Sequence, residues 1–96
     1  MKKKKLLIKR ISGTSGGIPG IHLGLDCTDG SSYRIPRDIS RSELRDANIA
    51  VLEEDGEIVS IAKVDSFRKD GRPDNLRNLT NKPFELDGTE EIVDCR

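Results

Sequence analysis

Between Ile49 and Asp65 the chain sets one apolar run on each side of a single Asp-Gly pair. The order is Ile49-Ala50-Val51-Leu52-Glu53-Glu54, then Asp55-Gly56, then Glu57-Ile58-Val59-Ser60-Ile61-Ala62-Lys63-Val64-Asp65. β-Branched side chains crowd a helix but fit a pleated strand, and Asp-Gly between two such runs has the chemistry of a two-residue type I′ turn. The segment therefore reads as a β-hairpin. Both of its strands are apolar on both faces, which places them centrally in a sheet, one face under a helix and the other against a second layer or a curl of the same sheet. A chain of 96 residues holds one such core rather than two.

A second hairpin is legible upstream. Residues 20–27 alternate strictly, with Ile21, Leu23, Leu25 and Cys27 on one face and Gly20, His22, Gly24 and Asp26 on the other, the period of a half-buried strand. Asp29-Gly30 again offers a type I′ turn, and Ser32-Tyr33-Arg34-Ile35 returns antiparallel until Pro36 stops it. Ahead of this hairpin, residues 5–11 carry Leu6, Leu7, Ile8 and Ile11, a run too short and too charged at its flanks for a helix, which reads as a first strand. The intervening Ser12-Gly13-Thr14-Ser15-Gly16-Gly17-Ile18-Pro19-Gly20 holds four Gly and one Pro and continues neither regular element.

Two helical segments are expected. Between the hairpins, Ser40 and Glu43 have the spacing of a capping box, Leu44 and Ala47 form a thin apolar stripe, Ile39 serves as a staple, and Arg41 and Arg45 face water, which predicts a short helix lying on the sheet. After the turn Lys69-Asp70-Gly71-Arg72-Pro73, Asp74 stands as a cap, with Leu76 and Leu79 at i and i+3. One helical or 3₁₀ turn there buries both leucines and closes the fold. The expected fold class is α+β: a small antiparallel sheet of four or five strands, in ββ-α-ββ order after an N-terminal strand, with one short helix. Residues 1–4 form a basic tail, residues 5–82 the domain, and residues 83–96 an acidic hairpin or tail.

The stretch from Val64 through Asp74-Asn75-Leu76-Arg77-Asn78-Leu79 resembles the end of a family of small prokaryotic domains of unknown function that finish in Asp-Asn-Leu-x-x-Leu after a glycine-containing turn. The order of elements is similar, and the resemblance covers residues 8–80. Thr80 stands where the family has a proline, and Phe67-Arg68-Lys69 matches the family's aromatic-Leu-Arg-Thr run only loosely. The family has no assigned activity, so the resemblance implies an architecture and no chemistry.

Catalysis has little to work with. His22 is the only histidine, and on an alternating strand it points away from the face of Cys27. The two cysteines, Cys27 and Cys95, sit in a chain whose N-terminal apolar run is broken at once by Lys9 and Arg10, so no secretion signal is visible and free thiols in a reducing cytoplasm are expected. A zinc site needs paired Cys or His ligands, and no such spacing occurs. Gly13-Thr14-Ser15-Gly16-Gly17 lacks the Gly-Lys-Ser/Thr and the following helix of a P-loop. Glu53-Glu54-Asp55 and Glu90-Glu91 read as solvated surface acids. No enzyme, metal or cofactor is expected, and no run reaches the about 20 apolar residues of a membrane helix.

Binding remains. Lys2, Lys3, Lys4, Lys5, Lys9 and Arg10 place six of the 17 basic residues in the first ten positions, an arm suited to phosphates. Net charge is nevertheless zero and aromatic residues are only 3% of the chain, which leaves almost no stacking platform for single strands. The favoured expectation is a protein-interaction or accessory module that uses an open sheet edge, either the first strand or the strand around Tyr33. Nucleic-acid binding through the arm is the alternative.

Overall fold

The computed structural model describes residues 4–9, 24–35 and 48–95. Seven strands run through them: β1 (Lys4–Lys9), β2 (Gly24–Asp26), β3 (Ser32–Arg34), β4 (Asn48–Glu54), β5 (Glu57–Phe67), β6 (Pro73–Asn78) and β7 (Glu91–Cys95). Five form one sheet in the order β6-β5-β4-β1-β7, and β2 pairs with β3 in a second. All pairs are antiparallel except β1 with β7, which is parallel. The α+β expectation is thereby corrected: among the described residues the fold is all-β, with a mixed sheet and no helix. The capping-box segment, residues 38–47, lies outside the described residues.

The central hairpin forms as its sequence dictates. Glu54 pairs with Glu57, and Asp55 and Gly56 both take positive φ, 52° and 88°, as a type I′ turn requires. Just above the turn the register shifts, so that Leu52 faces Ser60 while Glu53 faces Ile58. Val59 is thus a bulge residue, and it changes the parity of β5, so that Ile58 and Ile61 pack on the same side of the sheet.

The Asp29-Gly30 hairpin uses a different turn. Asp26 pairs with Ser32, which leaves residues 27–31 as the connection. Within it the Gly30 N–H donates to the Cys27 carbonyl at 3.0 Å, and the Cys27 N–H donates to the Ser31 carbonyl at 2.8 Å. Only Gly30 has positive φ, 94°, so this is a type I turn closed by a glycine bulge. The Asp29 carboxylate accepts the Ser31 N–H at 3.0 Å, a local bond that fixes the longer turn. The β5–β6 connection repeats the pattern, with the Gly71 N–H on the Arg68 carbonyl at 3.0 Å and the Arg72 N–H on the Asp70 carboxylate at 3.0 Å.

Strand parity sorts the core into two layers. Leu7, Ile49, Val51, Ile61, Val93 and Cys95 face one side, where Leu25, Cys27 and Ile35 of the β2–β3 hairpin cover them, with Tyr33, Ile58 and Leu79 at the margin. Leu6, Ile8, Ala50 and Val64 face the other side and meet Phe67, Leu76, Phe84, Leu86 and Ile92. The irregular segment before β7 therefore supplies Phe84 and Leu86 as a second cover. This explains why β4 and β5 are apolar on both faces.

The expected closing turn is also corrected. Asp74, Asn75 and Leu76 lie in strand β6, not in a helical turn, and Leu79 follows it directly. Leu76 packs on one face of the sheet and Leu79 on the other. A strand puts residues of opposite parity on opposite faces, and both apolar layers need a side chain at this margin, so tertiary demand overrides the helical spacing.

Cys27 and Cys95 are not free thiols: they form a disulfide across a sequence separation of 68. Parallel pairing of β7 with β1 brings Cys95 to the face that Leu25 and Cys27 cover, and Cys27 and Cys95 meet as an antiparallel bridge. The disulfide removes the ground on which a reducing compartment was expected.

Candidate interaction edge and its clamp

The β2–β3 hairpin presents an exposed backbone edge along β3, and its position is set by contacts along its rim. Leu25, in the middle of β2, is fully buried, because the alternation of that strand turns one side chain in two toward the sheet. At one end the Lys9 ammonium donates to the Gly24 carbonyl at 2.8 Å. At the turn the Lys5 ammonium meets the Asp29 carboxylate at 2.9 Å. On the return strand the Tyr33 hydroxyl donates to Glu53 Oε2 at 2.7 Å.

Glu53 is the pivot of this clamp. It is 3% exposed, and its second oxygen, Oε1, accepts the Gly56 N–H at 2.8 Å, so both oxygens of a buried carboxylate are satisfied. One acid thus ties the type I′ turn of the central hairpin to the aromatic ring of the covering hairpin. The bond to Glu53 raises the Tyr33 phenol above its ordinary value, since phenolate beside a carboxylate is disfavoured. Bonds from Ser31 and then Lys5 hold the Asp29 carboxyl far below the usual carboxylate range, and the bond to Asp29 raises Lys5. The shifts of Asp29 and Lys5 share one cause, the charge-assisted bonds at this rim.

A second buried acid fastens the opposite cover. Glu90 is 4% exposed. Its carboxylate accepts the Asp87 N–H at 2.7 Å and the Gly88 N–H at 3.1 Å, and pairs with the Arg72 guanidinium at 3.2 Å. Arg72 also donates to the Gly88 carbonyl at 2.8 Å. Glu53 and Glu90, read from the sequence as solvated acids, are thus buried and bonded. The signal available was their position beside an Asp-Gly turn, where a carboxylate reaches exposed N–H groups.

The basic residues singled out in the sequence divide. Lys2, Lys3 and Arg10 lie outside the described residues. Lys4, Lys5 and Lys9 lie in β1, which is hydrogen-bonded on both sides, to β4 and to β7. Lys4 stands 3.6 Å from both Glu54 and Asp87. Burial pulls its ammonium down, but the Asp87 and Glu54 carboxylates outweigh this and leave it raised. Lys9 is lowered by burial. The structure therefore draws these three lysines into the two rims instead of into one arm. His22 and the Gly13–Gly17 loop lie outside the described residues.

The signature residues of β6 shape the far edge. Asp74 accepts the Asn75 N–H at 3.1 Å and Asn75 takes φ 54°, a left-handed kink within an edge strand. Asn78 then donates to the Lys82 carbonyl at 2.6 Å and accepts the Thr80 N–H at 3.0 Å. With Pro73 at its start, β6 carries several of the devices that keep a strand from accepting a neighbour. The β7 edge is touched by the covering hairpin, since the Thr28 N–H donates to the Asp94 carbonyl at 2.9 Å.

The edge of β3 has a different character. Cys27 and Ser31 are a hydrogen-bonded pair, and the register Leu25↔Tyr33 repeats that geometry one step on. The intervening Ser32, and Arg34 beyond, then turn their N–H and C=O groups away from β2. Both residues are exposed, and no strand pairs with β3 on its outer side among the described residues. Comparison with protein-family models, with curated proteins and with solved structures finds no match to this chain.

Proposed function

We propose that this chain is a non-enzymatic binding module that receives an extended segment of a partner protein along the outer edge of β3. The observation that carries the reading is the outward backbone of Ser32 and Arg34 on a hairpin whose other features are tied down. Tyr33, Asp29, Gly24 and Cys27 each bond to the main sheet. An edge held in its binding geometry before the partner arrives loses little freedom on association, which is what strand addition needs. Of the other edges, β6 is kinked at Asn75 and β7 is partly covered at Asp94. Arg34, exposed beside the edge, favours a segment with an acidic side chain opposite it.

Against catalysis stands the union of both thiols in a disulfide, which leaves neither as a nucleophile. The nucleic-acid alternative rests on Lys2, Lys3 and Arg10, because Lys4, Lys5 and Lys9 have partners within the fold.

The test is selection from a displayed library of random linear peptides, followed by amide NMR titration of the winners. Acidic extended peptides are expected to shift the Ser32 and Arg34 amides. Ser32→Pro removes an outward N–H without breaking a hairpin bond and is expected to abolish binding while leaving the remaining spectrum folded. Peptides that bind elsewhere, or low-salt binding of DNA or RNA in place of peptides, overturn the proposal.

A further inference from the structure

We infer that the Cys27–Cys95 disulfide is a redox latch: reduction by a dithiol releases the β2–β3 hairpin and β7 from each other while the β4–β5 centre stays folded. The inference stands on the layer geometry and is independent of any partner at β3. Both cysteines sit at the margins of their elements. Cys95 is the last residue of the edge strand β7, and Cys27 opens the connection whose next three residues, Thr28, Asp29 and Gly30, are exposed. The cysteines themselves are buried, at 8% and 7% exposure, but each stands at the end of its element, next to the exposed turn.

Without the bond, the hairpin meets β7 through the shared apolar layer around Leu25 and Val93 and few backbone contacts. Their pairing is a single isolated bridge, supported among the backbone bonds by Thr28 N–H to the Asp94 carbonyl at 2.9 Å. The hairpin's other polar ties go to β1 and β4 and none to β7: Lys5 and Lys9 hold it to β1, where the exposed Lys5–Asp29 pair is screened by solvent, and Tyr33 holds it to Glu53 of β4. By contrast β4 and β5 pair along seven residue positions and keep Phe84 and Leu86 over their second face. A break at the disulfide thus has a natural boundary between a thin outer layer and a thick inner one.

The chemistry also has a direction. A thiolate of the dithiol approaches from the exposed turn and attacks the Cys27 Sγ. The Sγ–Sγ bond breaks and Cys95 leaves as a thiolate with the bonding pair. The second thiol of the reductant then displaces Cys27 from the mixed disulfide, so the reductant is oxidised to its disulfide and the chain gains two electrons, with two protons following from the reductant. Lys9 is the register partner of Cys95 on β1 and shares its face, with its ammonium on the Gly24 carbonyl at 2.8 Å, so a cationic residue lies on the leaving group's side of the sheet, and positive charge on that side favours departure of a thiolate.

The experiment uses the intact oxidised chain in native buffer with dithiothreitol, alkylation to trap thiols, and amide hydrogen exchange read residue by residue. Reduction is expected without denaturant. Protection is expected to fall at least about tenfold at Leu25, Tyr33 and Val93 while Val51 and Ile61 keep theirs, and oxidised glutathione restores the starting pattern. Lys9→Met is expected to slow reduction severalfold. The doubly substituted Cys27→Ser/Cys95→Ser chain serves as a permanently open form and is expected to show the same selective loss. A bond that resists dithiothreitol until the chain is denatured overturns the inference. So does a reduced or doubly substituted chain that loses protection at Val51 and Ile61 as well, or one that loses none.

Discussion

Replacing Tyr33 by Phe removes one hydroxyl and tests whether the covering hairpin is locked through Glu53. The ring and its apolar contacts remain, so the transfer of area from water is nearly unchanged. What is lost is the 2.7 Å donor to Oε2 of a carboxylate that is 3% exposed. A hydrogen bond to a charged group contributes about 1.5–3 kcal/mol, and the larger part of that is the cost of leaving a buried acceptor without its donor. For a chain of this size each kcal/mol moves the melting temperature by about 4–8 °C, so Tyr33→Phe is expected to lower Tm by about 6–24 °C. Urea unfolding and calorimetry measure this directly. A double-mutant cycle with Glu53→Gln isolates the pair, and a coupling of about 1–2 kcal/mol is expected because the residues are in contact. The Gly56 amide, bound to the other carboxylate oxygen, provides a local probe and is expected to exchange faster in both single variants. If Tyr33→Phe melts within about 0.5 kcal/mol of the parent and Gly56 is unaffected, Glu53 is not the pivot described here.

Further expectations follow from the same contacts. Asp29 and Asp87 are both held below the ordinary carboxylate value, Asp29 by Ser31 first and Asp87 by Thr89 first. A depressed folded-state value means stability that is present above the unfolded carboxyl value of about 3.9 and is lost as pH falls through the folded one. Asp29→Asn is therefore expected to flatten the acid limb of a pH-dependent melting series; an unchanged acid limb refutes it. Tyr33, raised by its bond to Glu53, has the opposite sign: its contribution is full below the unfolded phenol value of about 10 and fades as pH rises through the folded one, which ultraviolet titration of the phenol tests. Leu7→Ala, at a fully buried position, is expected to cost about 2–5 kcal/mol by leaving a cavity. Half-buried Leu76 and Leu79 should lose less on the same change, and chemical denaturation ranks the three. Gly56 has φ 88° with nothing within 4 Å of an added Cβ, so Gly56→Ala tests backbone strain alone, expected at about 1 kcal/mol.

Several elements were legible because their signals are local. The Asp55-Gly56 hairpin follows from φ requirements that Gly and Asp meet by themselves, and the centrality of β4 and β5 follows from apolar residues on both of their faces. The alternation through Leu25 and Cys27 likewise fixed which side chains turn inward, since parity is a property of any extended chain. The turn at Asp29-Gly30 was read as a turn, but its length depends on where Asp26 and Ser32 pair, and that register belongs to two strands rather than to one.

Composition and spacing alone thus determined a small β-rich core, its central hairpin and the inward face of β2. Only the tertiary structure decided that Asp74-Asn75-Leu76 lies in an edge strand, that Lys4, Lys5 and Lys9 serve the rims of a sheet, and that Glu53 and Glu90 are buried. It also decided that Cys27 meets Cys95. Each of these depends on the parallel return of β7 beside β1 or on a cover laid over a face, contacts between residues far apart in the chain. Local preferences carry no record of such pairings, because the free energy that selects them comes from burying two apolar layers at once.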